Sequence, residues 1–104
     1  MRPVMAFEVI HKNVSLERLE KDAKFTAEYS AAVVRSFRKR MWVIRNAMDE
    51  RDLRVPNGNH LEKLKGDRDH QHSMRLNDQW RLIIEIKGKG ASKTLLVVGI
   101  EDYH

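Results

Sequence analysis

Around Val55–Asn59 the spacing of the apolar residues changes from mainly helical to alternating, and that change limits the fold more than any other feature of the sequence. Ahead of Val55-Pro56-Asn57-Gly58-Asn59, the longest run of loop-forming residues, apolar side chains recur at helical intervals. Beyond it they alternate, as in strands. Helices first and an antiparallel sheet later is an α+β layout, with N-terminal helices packed on one antiparallel sheet. At 104 residues the chain is expected to form a single domain, 1–104, around one core. Large-enzyme architectures with a deep cofactor cleft and a lid are thereby excluded.

Ala6 to Ile10 reads as a short opening strand, with Phe7 and Val9 alternating with Glu8. Ser15 reads as the N-cap of a first helix, in which Leu16, Leu19 and Ala23 mark one face and Glu17 suits the N-terminal dipole. Thr26 reads as a second N-cap. From Ala27 to about Asp49 there is no Gly or Pro. At about 100° per residue, Val33, Val34, Phe37, Met41, Ile44 and Met48 fall in one arc that should face the sheet. Arg35, Arg38, Lys39 and Arg45 fall on the other side, with Trp42 among them. Two readings of that side stand: a solvated basic face with Trp42 packed on the first helix, or a contact surface for another macromolecule. After the loop, Gln71–Leu76 and Trp80–Ile86 form a hairpin across Asn77-Asp78-Gln79. Lys87–Ser92 then turns into Lys93–Ile100, whose unbroken apolar character fits a central strand covered on both sides.

Charge and cysteine content narrow the function classes. Twenty Lys and Arg against fifteen Asp and Glu give a formal charge of +5, which favours an acidic partner such as RNA, DNA or an acidic protein. Most of the excess lies ahead of Asn59, where twelve basic residues face eight acidic ones; the remainder has eight and seven. The absence of cysteine removes disulfides, zinc ribbons and thiol nucleophiles. No apolar run reaches the roughly 20 residues of a membrane span, and the opening residues lack the apolar stretch of a signal peptide, so a cytoplasmic protein with no membrane partner is expected.

Cationic and titratable groups mix in Leu64-Lys65-Gly66-Asp67-Arg68, His70, His72, Arg75, Arg81 and Glu101-Asp102-Tyr103-His104. Alternation puts Arg81 on the face opposite Trp80 and Leu82, and Ser73 and Arg75 opposite Met74 and Leu76. One face of the hairpin then seals against the long helix while the other presents guanidinium groups. His70 and His72 are spaced to share one strand face, but no third metal ligand is marked, and no metal is expected. Asp67 and Asp69 suit a turn. A Ser-His-Asp set built on Ser73 lacks any nucleophile-elbow pattern, and Gly88 with Gly90 is too short for a nucleotide loop.

Three separated blocks carry a resemblance. Leu61-Glu62-Lys63-Leu64-Lys65-Gly66-Asp67-Arg68, then Ser73-Met74-Arg75-Leu76-Asn77-Asp78-Gln79-Trp80-Arg81-Leu82, then Glu101-Asp102-Tyr103-His104 resemble the HigB branch of the RelE/ParE toxin superfamily. Asp52–Asn59 also matches, and the first half matches in layout. The resemblance implies a compact RelE-like ribonuclease fold and a toxin of a type II toxin-antitoxin system. It further implies ribosome-dependent cleavage of translated mRNA in the A site and growth arrest, with no cofactor. The ParE branch instead implies a non-enzymatic DNA gyrase inhibitor. A third reading, a plain DNA-binding module using the basic helix, lacks the short preceding helix and tight turn of a helix-turn-helix.

Attack of a ribose 2′-OH on the adjacent phosphate needs a base, an acid for the 5′-oxygen, and positive charge at the phosphorane. On the resemblance, Arg81 supplies the charge, because a guanidinium suits phosphate better than a lysine. Asp102 or His104 takes the proton, His104 returns one, and Tyr103 stacks on a base or bonds near the phosphate. Lys63, Lys65, Arg68 and Arg75 hold RNA phosphates. Glu62 occupies the position of a histidine found in some HigB toxins, with His60 two residues earlier; either can take that role, Glu62 as the base itself. The implied partners are a HigA-like helix-turn-helix antitoxin, the ribosome with its mRNA, and operator DNA through the antitoxin complex alone.

Overall fold

A computed structural model describes residues 7–48, 50–54, 60–88 and 93–102. Among these residues five strands and two α-helices form two layers. The strands are β1 (Phe7–His11), β2 (Glu62–Lys63), β3 (Gln71–Arg75), β4 (Trp80–Lys87) and β5 (Lys93–Asp102), and the helices are α1 (Val14–Lys21) and α2 (Ala31–Asn46). The sheet order is β1-β5-β4-β3-β2. The hairpin and meander expected from alternation are present, with Met74 opposite Leu82 and Leu82 opposite Ile100. The sheet is mixed and not purely antiparallel, because β1 pairs parallel to β5. A pairing between chain ends leaves no short-range signal: the intervening helices form the crossover that a parallel pair requires.

Helix boundaries differ from the sequence expectation at both N-caps. Asn13 caps α1, its Oδ1 accepting from Leu16 N at 3.0 Å, so Ser15 lies inside the helix. Ser30 caps α2, its Oγ accepting from Val33 N at 3.2 Å. Thr26 does not, because Ala27 and Glu28 adopt φ of 51° and 67°, a left-handed conformation that no α-helix contains. Asp22 stops α1 by accepting Lys24 N on its side chain, which leaves Ala23 outside the helix and exposed.

The expected arc of α2 faces the sheet through Val33, Val34, Phe37, Met41 and Ile44, all buried. Met48 is 59% exposed because α2 ends two residues before it. Leu16 and Leu19 of α1 and Leu53 of a 3₁₀ turn (Glu50–Leu53) close the same core over Met74, Leu82, Ile84, Leu95 and Val97. Complete burial of a Leu or Phe stabilises by roughly 1.5–3 kcal/mol, so this stripe supplies most of what holds the layers together. β5 is interior in the sheet but covered on one face only: Leu95 and Val97 are buried, whereas Leu96 and Val98 are half-exposed. Among the described residues no helix is long and apolar enough to cross a membrane.

Part of the basic side of α2 binds the helices to each other. Arg38 donates to the carbonyls of Leu19 at 3.0 Å, Asp22 at 2.9 Å and Phe25 at 3.1 Å. Arg45 forks onto Glu20 at 2.9 and 2.7 Å, and Glu20 also bonds His11 Nε2 of β1 at 2.8 Å. Burial pushes the Glu20 carboxyl up, but the Arg45 and His11 bonds outweigh it and hold it below its ordinary value. Trp42 does not pack on α1; it is 67% exposed.

Candidate functional site

The outer face of the sheet, away from the helices, collects the polar residues of the sequence motifs. Residues directly opposite in paired strands share a face. Glu62 is opposite Ser73, Ser73 opposite Ile83, Arg75 opposite Arg81, and Arg81 opposite Glu101. A register shift between Ile83 and Ile84 lets β5 keep Leu95 and Val97 inward before the bulge and Ile100 inward after it. Glu101 is thereby aimed at the outer face beside Arg81.

Between β2 and β3 the chain turns through Gly66–Arg68, with Gly66 at φ 71°. Any other residue there would be strained by 1–2 kcal/mol, although a Cβ would touch nothing. The turn is closed by Asp69 N donating to Gly66 O at 3.2 Å and Leu64 N to Gln71 O at 2.9 Å. It swings Arg68 over the sheet, where its guanidinium forks onto Glu101 at 3.0 and 2.7 Å and donates to Gln71 at 3.0 Å. The Glu101 bonds raise the Arg68 pKa above its already high value. Gln71 in turn donates to Glu85 at 2.9 Å, which holds that carboxyl below its usual range.

These elements enclose a cavity of about 190 Å³. Arg68, Arg81, Glu101 and Asp102 form its charged wall, Leu64 and Ile83 its apolar wall, and Ser73 completes it. Ser73 is 1% exposed, and its Oγ has no hydrogen-bond partner among the described residues. Asp102 stands at the end of β5 and accepts from Gln79 Nε2 at 3.0 Å.

Of the residues singled out in the sequence, Arg81, Asp102 and Arg68 therefore meet in one cavity, with Glu62 beside it on the edge strand. Arg68 is committed to Glu101, a partner thirty-three residues away in the chain. Lys63 and Lys65 are exposed outside the cavity, and Arg75 pairs with Asp78. Tyr103 and His104 lie outside the described residues, as do the Val55–Asn59 loop, Ala6, Asp49 and the Lys89–Ser92 part of the last turn. His60 precedes the two-residue strand β2 and has φ 44°, so strand alternation does not carry it onto the face of Glu62. His70 and His72 do not share a face either. His70 Nε2 comes within 3.7 Å of Glu85 on the outer side. His72 is opposite Ile84, on the core side, where burial lowers its pKa. Asp67 and Asp69 lie in the turn, as expected. Among the described residues no three His, Asp or Glu side chains are grouped to hold a metal.

The sequence profile of the HigB-like toxins, described as RelE-like toxin of type II toxin-antitoxin system HigB, matches residues 10–103. The chain belongs to the HigB-like toxin family. It is 31% identical to Toxin HigB-1 of Vibrio cholerae serotype O1 (strain ATCC 39315 / El Tor Inaba N16961) over 74 residues, covering 71% of this chain and 78% of that protein. In fold it is similar to the YoeB/ParE toxin from Agrobacterium tumefaciens, with a TM-score of 0.61 and 18% identity over 94% of this chain and all of that one. This HigB-like chain is thus a RelE-like toxin of a type II toxin-antitoxin system, a family that implies a cognate antitoxin as partner.

Proposed function

We propose that this HigB-like toxin is a ribosome-dependent endoribonuclease that cleaves translated mRNA in the A site and arrests growth. The observation that carries this is the convergence of Arg81 and Asp102 in one cavity at the C-terminal end of β5. In that reading the 2′-OH attacks the adjacent phosphate, giving a 2′,3′-cyclic phosphate and a 5′-OH. Arg81 offsets the charge of the phosphorane. Asp102, Glu62 or His104 accepts the 2′-OH proton, and His104 delivers one to the departing 5′-oxygen. Tyr103 stacks on a base. Lys63, Lys65 and Arg75, at the margins of the cavity, bind phosphates of the message or of ribosomal RNA. Arg68 joins them only by exchanging Glu101 for phosphate. No metal or other cofactor has a part in these steps.

A HigA-like helix-turn-helix antitoxin is the proposed partner, operator DNA being reached only through that complex, and the cytoplasm is the proposed setting. The gyrase-inhibitor alternative draws on the basic side of α2, and two of its four cations, Arg38 and Arg45, are tied to the protein's own backbone and to Glu20. Purified toxin added to programmed ribosomes should cut the message within the A-site codon and leave a cyclic phosphate end, and Arg81→Ala should not. An uncut message with intact growth arrest, accompanied by DNA breaks, would favour the gyrase reading.

A further inference from the structure

We propose that the cavity beside Arg81 is a nucleobase subsite in which the Ser73 hydroxyl reads the edge of one unstacked base. The proposal rests on the RNA-cleavage reading and names the part of the substrate that enters the cavity.

The lining does not select a simple anion. Two guanidinium groups, Arg68 and Arg81, are matched by two carboxylates, Glu101 and Asp102, and the Arg68 fork already neutralises Glu101. The four charges cancel, so the lining as a whole does not attract a free phosphate ion, and the scissile phosphate of the proposed reaction is met by Arg81 alone. Donors and acceptors set against the apolar side chains of Leu64 and Ile83 suit a planar heterocycle, whose faces are apolar and whose edge is a row of donors and acceptors. At about 190 Å³ the cavity is smaller than the roughly 300–1,000 Å³ sites of drug-sized ligands, so it has room for one ring system and not for a dinucleotide.

Ser73 adds an observation of a different kind. Buried polar atoms nearly always have a partner, and leaving one without costs stability. Ser73 lines the cavity, and its buried Oγ has no partner among the described residues. A hydroxyl both donates and accepts, so it can satisfy a ring nitrogen or an exocyclic group equally well. Arg81 is two residues from Ile83 along the same face of β4, so a base against Ile83 leaves its own phosphate near the Arg81 guanidinium.

The test is an NMR titration of the ¹⁵N-labelled full chain with AMP, GMP, CMP and UMP, and with ribose 5-phosphate as the base-free probe. At least one nucleotide should shift the amides of Ser73, Ile83 and Glu101, with ribose 5-phosphate at least about tenfold weaker. Ser73→Ala should weaken the favoured nucleotide by about fivefold, the loss of one hydrogen bond. Its melting temperature should stay at or above that of the wild type, since the lost hydroxyl has no partner among the described residues. Equal binding of ribose 5-phosphate, unchanged affinity in Ser73→Ala, or no binding at all would each overturn the proposal. So would a marked drop in melting temperature, which would make the hydroxyl a structural donor. Failure of the cleavage reading is separate: it would show as base-dependent binding by a wild-type protein that leaves ribosome-bound message uncut, which supports the subsite alone.

Discussion

Arg38 should be among the most stabilising single side chains in this protein, although it sits on what the sequence presents as a solvated basic face. Its half-buried guanidinium donates three hydrogen bonds, to carbonyls of the last turn of α1 and of the segment that leads into α2. The Leu19 carbonyl has no helical N–H to accept from, because α1 ends at Lys21, whereas the Asp22 carbonyl also accepts from Phe25 N at 3.0 Å. A charged donor contributes about 1.5–3 kcal/mol to a hydrogen bond, and water will replace part of each in a partly exposed site. Arg38→Ala should therefore cost about 3 kcal/mol, against a total of roughly 5–15 kcal/mol for a domain of this kind. At roughly 4–8 °C per kcal/mol, the melting temperature should fall by roughly 12–24 °C, and the urea midpoint should drop with an unchanged slope. Arg38→Lys should recover less than half of the loss, because one ammonium cannot reach three carbonyls arranged for a fork. Arg35→Ala, an exposed cation on the same helix, should change stability by less than about 0.5 kcal/mol. A loss below about 1 kcal/mol for Arg38→Ala would refute the assignment of Arg38 as the clamp between the helices.

The remaining predictions concern pH, backbone and function. Burial lowers the pKa of His72 in the folded state, so the unfolded chain binds more protons just below 6.5 and stability should decline as pH falls through that range; His72→Gln should flatten the slope of the urea midpoint there, and an unaltered slope would contradict it. Gly66→Ala should cost about 1–2 kcal/mol through its positive φ alone, read by thermal unfolding, whereas Gly99→Ala carries no such conformational term. Deleting Tyr103 and His104 should abolish growth arrest on induction while antitoxin binding, measured by co-purification, persists; undiminished toxicity would remove both residues from the site.

Features set by side-chain period were legible in the sequence. The inward arc of α2 and the two faces of the β3–β4 hairpin follow from spacing alone, and the structure places Val34, Phe37, Met41, Met74 and Leu82 where spacing put them. Features that depend on partners distant in the chain were not legible. The parallel pairing of β1 with β5 joins segments more than eighty residues apart, and the Arg68–Glu101 fork spans thirty-three. Local cap signals were ambiguous in another way: Asn13, Ser15, Thr26 and Ser30 are all competent caps, and the choice is made by the left-handed backbone at Ala27 and Glu28 and by where Leu16 and Val33 must point. The two motif cations Arg68 and Arg81 were both visible as charges. Only the folded turn and the strand register show that Arg68 forks onto Glu101 and that both cations line one cavity with Ser73.

The most direct test of the central claim is transcriptome-wide mapping of 5′-hydroxyl RNA ends after brief induction of the toxin, with Arg81→Ala as the control. New ends should fall inside codons of translated messages in reading frame, vanish when translation is blocked, and be absent with Arg81→Ala. Growth arrest by the wild-type protein with no new codon-associated ends would contradict the account.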